Sequence, residues 1–208
     1  MPELQETPVS KTDAAQTGWK SFFYDLMDLV ESVLISVLVV LLVFTFLFKV
    51  ATVEGDSMVP TLENGDRLIV SDLGYTPKNG DVIIVAARSS NLLDAEHHVV
   101  VGEGLNKRIV KRVIAQAGQT VDIDFAEGTV SVDGVTLQEP YVNTPTNTNA
   151  GAFNFPLTVP EGYLFVLGDN RAISKDSRHP AVGLIPTEDI VGKVVWRVFP
   201  FSQFGGVQ

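Results

Sequence analysis

The sequence predicts a mostly β domain, closed as a barrel or sandwich, preceded by a single N-terminal transmembrane helix. Three observations carry that reading. Residues 32–48 form an uncharged run made almost wholly of Val, Leu, Ile and Phe. After residue 50 no stretch keeps a helical period, and short β-type runs alternate with turn pairs such as Asn64-Gly65 and Asp133-Gly134. A length of 208 residues accommodates one well-cored domain plus an anchor rather than two independent domains.

The helix comes first along the chain. At ~1.5 Å per residue the uncharged run reaches ~26 Å, the short end of what a hydrocarbon core requires. Glu31 and Lys49 bracket it, and Leu26, Met27, Leu29 and Val30 extend the apolar pattern backwards. A tilted helix over 27–49 therefore spans. The run is apolar on every face, which argues against a buried helix of a soluble protein. A cleavable signal peptide fits poorly, because the preceding segment is acidic and no small-x-small site follows in Val50-Ala51-Thr52-Val53. Residues 1–26 read as a disordered tail, polar and rich in Thr, Gln and Glu over 1–18. Trp19, Phe22, Phe23 and Tyr24 suit a headgroup belt, or the first turns of the helix.

The β domain covers 50–208. Its strand candidates are 67–70, 82–86, 108–114, 121–125, 129–132, 163–167 and 191–198, separated by Asn64-Gly65, Asn79-Gly80, Glu127-Gly128 and Asp133-Gly134. Residues 138–160, rich in Asn, Thr and Pro, read as a long surface loop or the edge of a small inserted lobe over roughly 116–162.

Composition excludes several function classes. Cysteine is absent, which removes disulfides and thiol redox chemistry. A formal net charge of −10 without a basic patch argues against a nucleic-acid partner. Lys11 and Lys20 before the span nearly balance Lys49 and Arg67 after it, so charge bias leaves the orientation open.

Three segments carry candidate chemistry: GDSMVPTL (55–62), RIVKRVIAQAG (108–118) and GDNRAISKDSR (168–178). Ser57 lies in a sharply turned loop, which projects a hydroxyl and leaves backbone N–H groups free for an oxyanion. Most serines in such turns are structural, so the hydroxyl needs a base beside it. His97, His98 and His179 read as solvated loop residues without a triad context. Lysine is the other possible base. Strand alternation puts Lys111 on one face with Ile109 and Val113, where lost hydration lowers the pKa of an ammonium. Half neutrality near pH ~8 costs about 3 kcal/mol. Arg112 has apolar neighbours on the opposite face, so periodicity alone does not single out Lys111. Lys107 and Lys175 read as solvated or ion-paired.

Taken together, the anchor, SMxPTL, Gly80-Asp81-Val82, the Lys111-Arg112 pair followed by apolar residues, and GDNRxxSxDSR resemble the successive boxes of bacterial type I signal peptidases. These are the Ser–Lys leader peptidases of family S26, and the compact form with one span looks most like the Gram-positive branch. The resemblance runs from the span to about Gly192. It implies Ser57 as nucleophile, Lys111 as general base and Ser174 as the hydroxyl that bonds and orients the lysine amine. It further implies Asp176 and Arg178 as a supporting ion pair, and Gly168, Asp169, Asn170 and Arg171 as the supporting turn. Asp169 and Asp176 remain open as simple turn-capping carboxylates.

Two departures from the family pattern stand out. Gln116-Ala117-Gly118-Gln119 replaces an apolar-Pro-Gly-Asp ending, and Gly55 stands where some relatives place a second oxyanion donor. The resemblance implies cleavage of signal peptides after small residues, Ala-X-Ala in type, with no metal or nucleotide cofactor. Its implied partners are preprotein substrates, the lipid bilayer and nearby translocation machinery. It also implies a cytoplasmic-membrane protein with the N-terminus inside and the catalytic domain outside. Two alternatives are weighed beside it: a self-cleaving Ser–Lys protease of the repressor type, and a non-enzymatic membrane-anchored β-domain. The aromatics of residues 195–204, Phe201 and Phe204 among them, read either as a lipid-seating surface or as a core strand.

Overall fold

The computed structural model describes residues 11–207. Helix α1, Lys11–Leu47, is 37 residues long. Within it Phe22–Val43 is long and apolar enough to cross a membrane, with a mean hydropathy of 2.5. This corrects the expected boundaries at both ends. Residues 11–26, assigned above to a disordered tail, are helical. Once the apolar run has nucleated the helix, each preceding residue adds one hydrogen bond; residues 11–26 contain no Pro to stop it, and their one glycine, Gly18, is carried within the helix. The remaining tail, residues 1–10, lies outside the described residues. At the other end Lys49 is already in a strand, because the β-branched Val50 and Thr52 pair with a neighbouring strand rather than continuing the helix. Trp19 meets Phe23 edge-on, ring centroids 5.3 Å apart.

The helix and the domain from Leu47 to Gln208 form two separate compact units. The domain is β throughout, apart from 3₁₀ turns at Thr187–Asp189 and Phe201–Gln203. Its strands in order are β1 (Lys49–Thr52), β2 (Arg67–Ser71), β3 (Val82–Leu93), β4 (Val99–Gln116), β5 (Thr120–Asp124) and β6 (Thr129–Val132). They continue with β7 (Val135–Thr136), β8 (Leu157–Thr158), β9 (Tyr163–Leu167), β10 (Ile185–Pro186), β11 (Ile190–Phe199) and β12 (Gly205–Gly206). The larger sheet has the order β1-β2-β11-β3-β4-β9-β10, with β12 added on β11. A second sheet, β7-β6-β5-β8, is built from the stretch between residues 120 and 158.

The long hairpin β3–β4 positions the site. Its register runs from Val82↔Arg112 to Leu93↔Val99, so Lys111 stands opposite Ile83 and Arg112 opposite Val82. Paired residues share a face of the sheet. On the Lys111 face, Ile83, Val85, Ile109 and Val113 form a buried cluster with Leu164 and Val166. On the Arg112 face, Val82 and Ile84 join Val53, Met58, Leu62, Leu68 and Val70. A third cluster fills the space between the two sheets, with Ile114, Phe165 and Leu167 against Val121, Ile123 and Val132. One strand thus carries two adjacent cations into two different apolar layers.

Candidate active site

The loop after β1 turns sharply at Gly55, whose φ of +86° suits glycine. Its N–H donates to Asn64 Oδ1 at 2.9 Å, and Leu62 N–H closes the following turn on Met58 O. Met58 and Leu62 are buried and nail the loop to the core. Ser57, immediately before Met58, is lifted into a cleft of about 690 Å³, lined by β1, the serine loop, Leu105 and residues 107–111 of β4, and Ile173. The Ser57 backbone N–H meets no acceptor among the described residues.

Lys111 approaches from β4. Its Nζ lies 2.7 Å from Ser57 Oγ and donates to the Val110 carbonyl at 2.7 Å. The residue is 2 % exposed and pairs with no carboxylate among the described residues. Burial lowers its pKa to about 8, an effect that Asp176 and Asp169 oppose and the charge of Lys107 assists. The structure therefore brings together a hydroxyl and an amine able to lose its proton near neutral pH.

Arg112, one residue on, is equally buried but fully engaged. Its Nε and Nη2 grip Asp169 at 2.9 and 2.6 Å, and Nη1 donates to the Gly80 carbonyl at 2.8 Å. The Tyr141 ring covers the guanidinium, 3.8 Å from ring centroid to Cζ. Burial, helped by Glu139, raises the Tyr141 phenol to about 12, so it stays neutral there. Asp169 also accepts from Thr61 Oγ1 at 2.5 Å. That carboxylate is more than a turn cap: it holds β4 against the serine loop.

The segment from Gly168 to Arg178 wraps this assembly. Asn170 N–H donates to the Ser57 carbonyl at 3.0 Å and its Nδ2 to the Asp56 carbonyl at 3.1 Å, clamping the serine loop. Asp176 and Arg178 form a buried two-pronged pair, with both bonds at 2.9 Å. Asp176 also accepts the Gly168 N–H at 3.0 Å. Arg171 donates to the Gly168 carbonyl at 3.0 Å and to Glu139 at 2.5 Å. Gly168 must lack a side chain, because a Cβ there would sit 2.5 Å from the Ser57 carbonyl oxygen.

Ser174 departs from the expected arrangement. Its hydroxyl is buried without a hydrogen-bond partner, while Lys111 spends its bonds on Ser57 and Val110. The hydroxyl is held against Gly168, where a Cβ would meet it at 2.2 Å, close to where the Ser57 carbonyl also lies.

None of the three histidines bonds Ser57 among the described residues. His97 and His98 sit exposed in the tip between β3 and β4, and the His179 ring accepts the Ala181 N–H at 3.1 Å. Gly80-Asp81-Val82 turns the chain into β3. Burial works to raise the Asp81 carboxyl, yet bonds from Lys193 at 2.6 Å and Tyr75 at 2.7 Å prevail and lower its pKa. The divergent Gln116–Gln119 turn is nonetheless well made. Gln119 N–H closes on Gln116 O at 3.1 Å and the Gln119 side chain caps Gln116 N–H at 2.9 Å.

Residues 26–199 match the family described as signal peptidase, peptidase S26. The chain belongs to that family. It is 37 % identical over 175 residues to the probable signal peptidase I-1 of a Synechocystis species, covering 83 % of this chain and 82 % of that protein. Signal peptidase I of Leptolyngbya laminosa is 32 % identical, across 99 % and 96 % of the two chains. Signal peptidase IB of Staphylococcus aureus is 34 % identical, across 86 % and 93 %. The match takes in the greater part of the apolar helix as well as the β domain, as befits a membrane-anchored member of the family.

Sequence reasoning missed Thr61, Glu139, Tyr141 and Thr146. The last three lie in the stretch read as a surface loop, yet Tyr141 covers Arg112 while Glu139 and Thr146 hold Arg171. Nothing in the polar composition of EPYVNTPT marks these three. The one available signal was indirect: buried arginines demand acceptors.

Proposed function

We propose that this serine peptidase removes N-terminal signal peptides from exported preproteins, with Ser57 as nucleophile and neutral Lys111 as general base. The observation that carries the roles is the 2.7 Å approach of Lys111 Nζ to Ser57 Oγ in surroundings that lower the amine's pKa to about 8.

Neutral Lys111 accepts the Ser57 proton as Oγ attacks the scissile carbonyl, and the Val110 carbonyl fixes the amine during the transfer. The developing oxyanion is taken by the unoccupied Ser57 N–H. Gly55 offers no side-chain donor to it. Protonated Lys111 then gives its proton to the leaving amine, and the resulting neutral amine activates the water that releases the acyl-enzyme. A lysine amine that accepts from Ser57 and donates to Val110 has one N–H left. The unpartnered Ser174 hydroxyl is the acceptor we assign to it. Asp169, Asn170, Arg171, Asp176 and Arg178 act by holding the serine loop and β4 in register.

The substrate side follows from the cleft. β1 is the end strand of its sheet, so its free edge offers backbone groups to an extended peptide. Val53, Ile84, Ile109 and Val110 line shallow apolar ground suited to small residues of the Ala-X-Ala type. The N-terminus lies in the cytoplasm, the domain outside the cytoplasmic membrane, and preproteins arrive from translocation machinery. Exposed Phe199, Phe201 and Phe204, with Trp196, seat the domain on lipid. Replacing Phe201 and Phe204 together lowers binding to lipid vesicles; unchanged binding removes that surface.

The test is mass spectrometry of the products from a model preprotein mixed with the detergent-solubilised full chain. One cut after a small-x-small sequence is expected, absent in Ser57→Ala and in Lys111→Met. Processing at the wild-type rate by Ser57→Ala would overturn the assignment.

A further inference from the structure

Most cations of the β domain are satisfied by an acid or a ring. Lys49, Arg88, Arg112, Arg171, Arg178, Lys193 and Arg197 each form an ion pair, and Arg67 covers the Phe199 ring. Besides Arg67, Lys111, and Lys78 in a separate cleft, the described cations of the domain with no carboxylate within 4.0 Å are Lys107, Arg108 and Lys175. All three are exposed and line the cleft that holds Ser57 and Lys111. In a chain of net charge −10, unpaired cations gathered in one cleft leave it locally electropositive. The acids of the same cleft, Glu54 and Asp56, belong to the serine loop, whereas the cations come from β4 and from the loop after β9.

We propose that Lys107, Arg108 and Lys175 form a cationic rim that binds an acidic side chain of the peptide substrate and favours substrates carrying one near the scissile bond. This rests on the peptidase reading above and adds a charge preference to it. Distance fixes the range. Lys107 precedes Lys111 by four residues in unbroken register with β3, about 13 Å along the strand at ~3.3 Å per residue. An extended substrate lying along β4 therefore brings a residue up to about four positions from the cut beside Lys107. A like charge also explains why Lys107 assists the lowered proton affinity of Lys111, since the two ammonium groups share one cleft. An Asp or Glu arriving there meets cations that hold no competing partner.

The experiment uses the full chain in detergent and a neutral peptide spanning a cleavage site. A single Glu replaces Gln at each of the four positions on either side of the cut. With the wild-type protein, at least one Glu peptide is cleaved with a kcat/KM up to about fivefold above its Gln counterpart, the range expected of exposed ion pairs. That ratio falls as salt rises. In the triple variant Lys107→Gln, Arg108→Gln, Lys175→Gln the ratio collapses to about one. A wild-type ratio near one at every position overturns the rim, as does a ratio that survives in the variant. If the variant instead loses binding to phosphatidylglycerol vesicles while peptide ratios stay at one, the cations serve lipid and the proposal fails. Wild-type failure to cleave any peptide would count against the peptidase reading itself, a distinguishable result.

Discussion

Lys111 and Arg112 are neighbours on one strand, both buried, and they meet opposite fates. Arg112 faces the layer that contains Asp169 and is held by two bonds to it, by the Gly80 carbonyl and by the Tyr141 ring. Lys111 faces the layer around Ile83, Ile109 and Val113, and its acids are already taken: Asp169 by Arg112 and Asp176 by Arg178. Burial with a committed partner fixes a charge, and burial without one makes the charge removable. The residue types suit those tasks. A guanidinium stays protonated and forks onto a carboxylate, whereas an amine releases its proton when desolvated.

Breaking either side of this contrast gives different signatures. The largest effect falls on activity. Ser57→Ala and Lys111→Met are each expected to lower kcat by at least about a thousandfold, as for other residues acting as one catalytic unit. Gly168→Ala comes next, because its Cβ meets the Ser57 carbonyl at 2.5 Å and must displace the serine loop. A hundredfold loss or more (about 10²) in kcat is expected from a displacement of ~1 Å. Arg112→Met leaves the Asp169 carboxylate buried without its counter-charge, at about 3–5 kcal/mol of stability, read from denaturant midpoints.

Lys111→Met has the opposite sign in stability. The amine's pKa falls from 10.5 in the unfolded chain to about 8 when folded, so the unfolded state binds the extra proton. Below pH 8 the native protein carries the full penalty, about 3 kcal/mol, and it fades as pH rises towards 10.5. The variant should therefore melt higher than wild type at pH 7, with the gap closing above pH 8. The smallest effect is at Lys107. Replacing it by Gln removes a like charge, so the pH midpoint of kcat/KM should move upward.

The same contrast marks what was legible in the sequence. Alternation in RIVKRVIAQ gave the strand and put the two cations on opposite faces, but only tertiary packing reveals which of them finds an acid. Strands β6 and β9 end where the sequence places them, since turn pairs or glycines bound both. Strands β3 and β4 run farther than expected, through Arg88-Ser89-Ser90-Asn91 and Val99 to Lys107, because each supplies the other's hydrogen bonds regardless of polarity. Two-residue strands such as β7, β8 and β10 are too short for any period to show. The Ser57–Lys111 encounter links residues 54 positions apart. Motif resemblance anticipated it, whereas the Tyr141 cover on Arg112 left no local trace.

The account turns on the amine. Nitrogen-15 labelling of lysine and an NMR titration of the Lys111 Nζ, assigned by comparison with Lys111→Met, measures its proton affinity directly in the full chain. A midpoint near pH 8, matched by the rise of kcat/KM, is the expected result. A Lys111 midpoint at or above the ordinary 10.5 would contradict it.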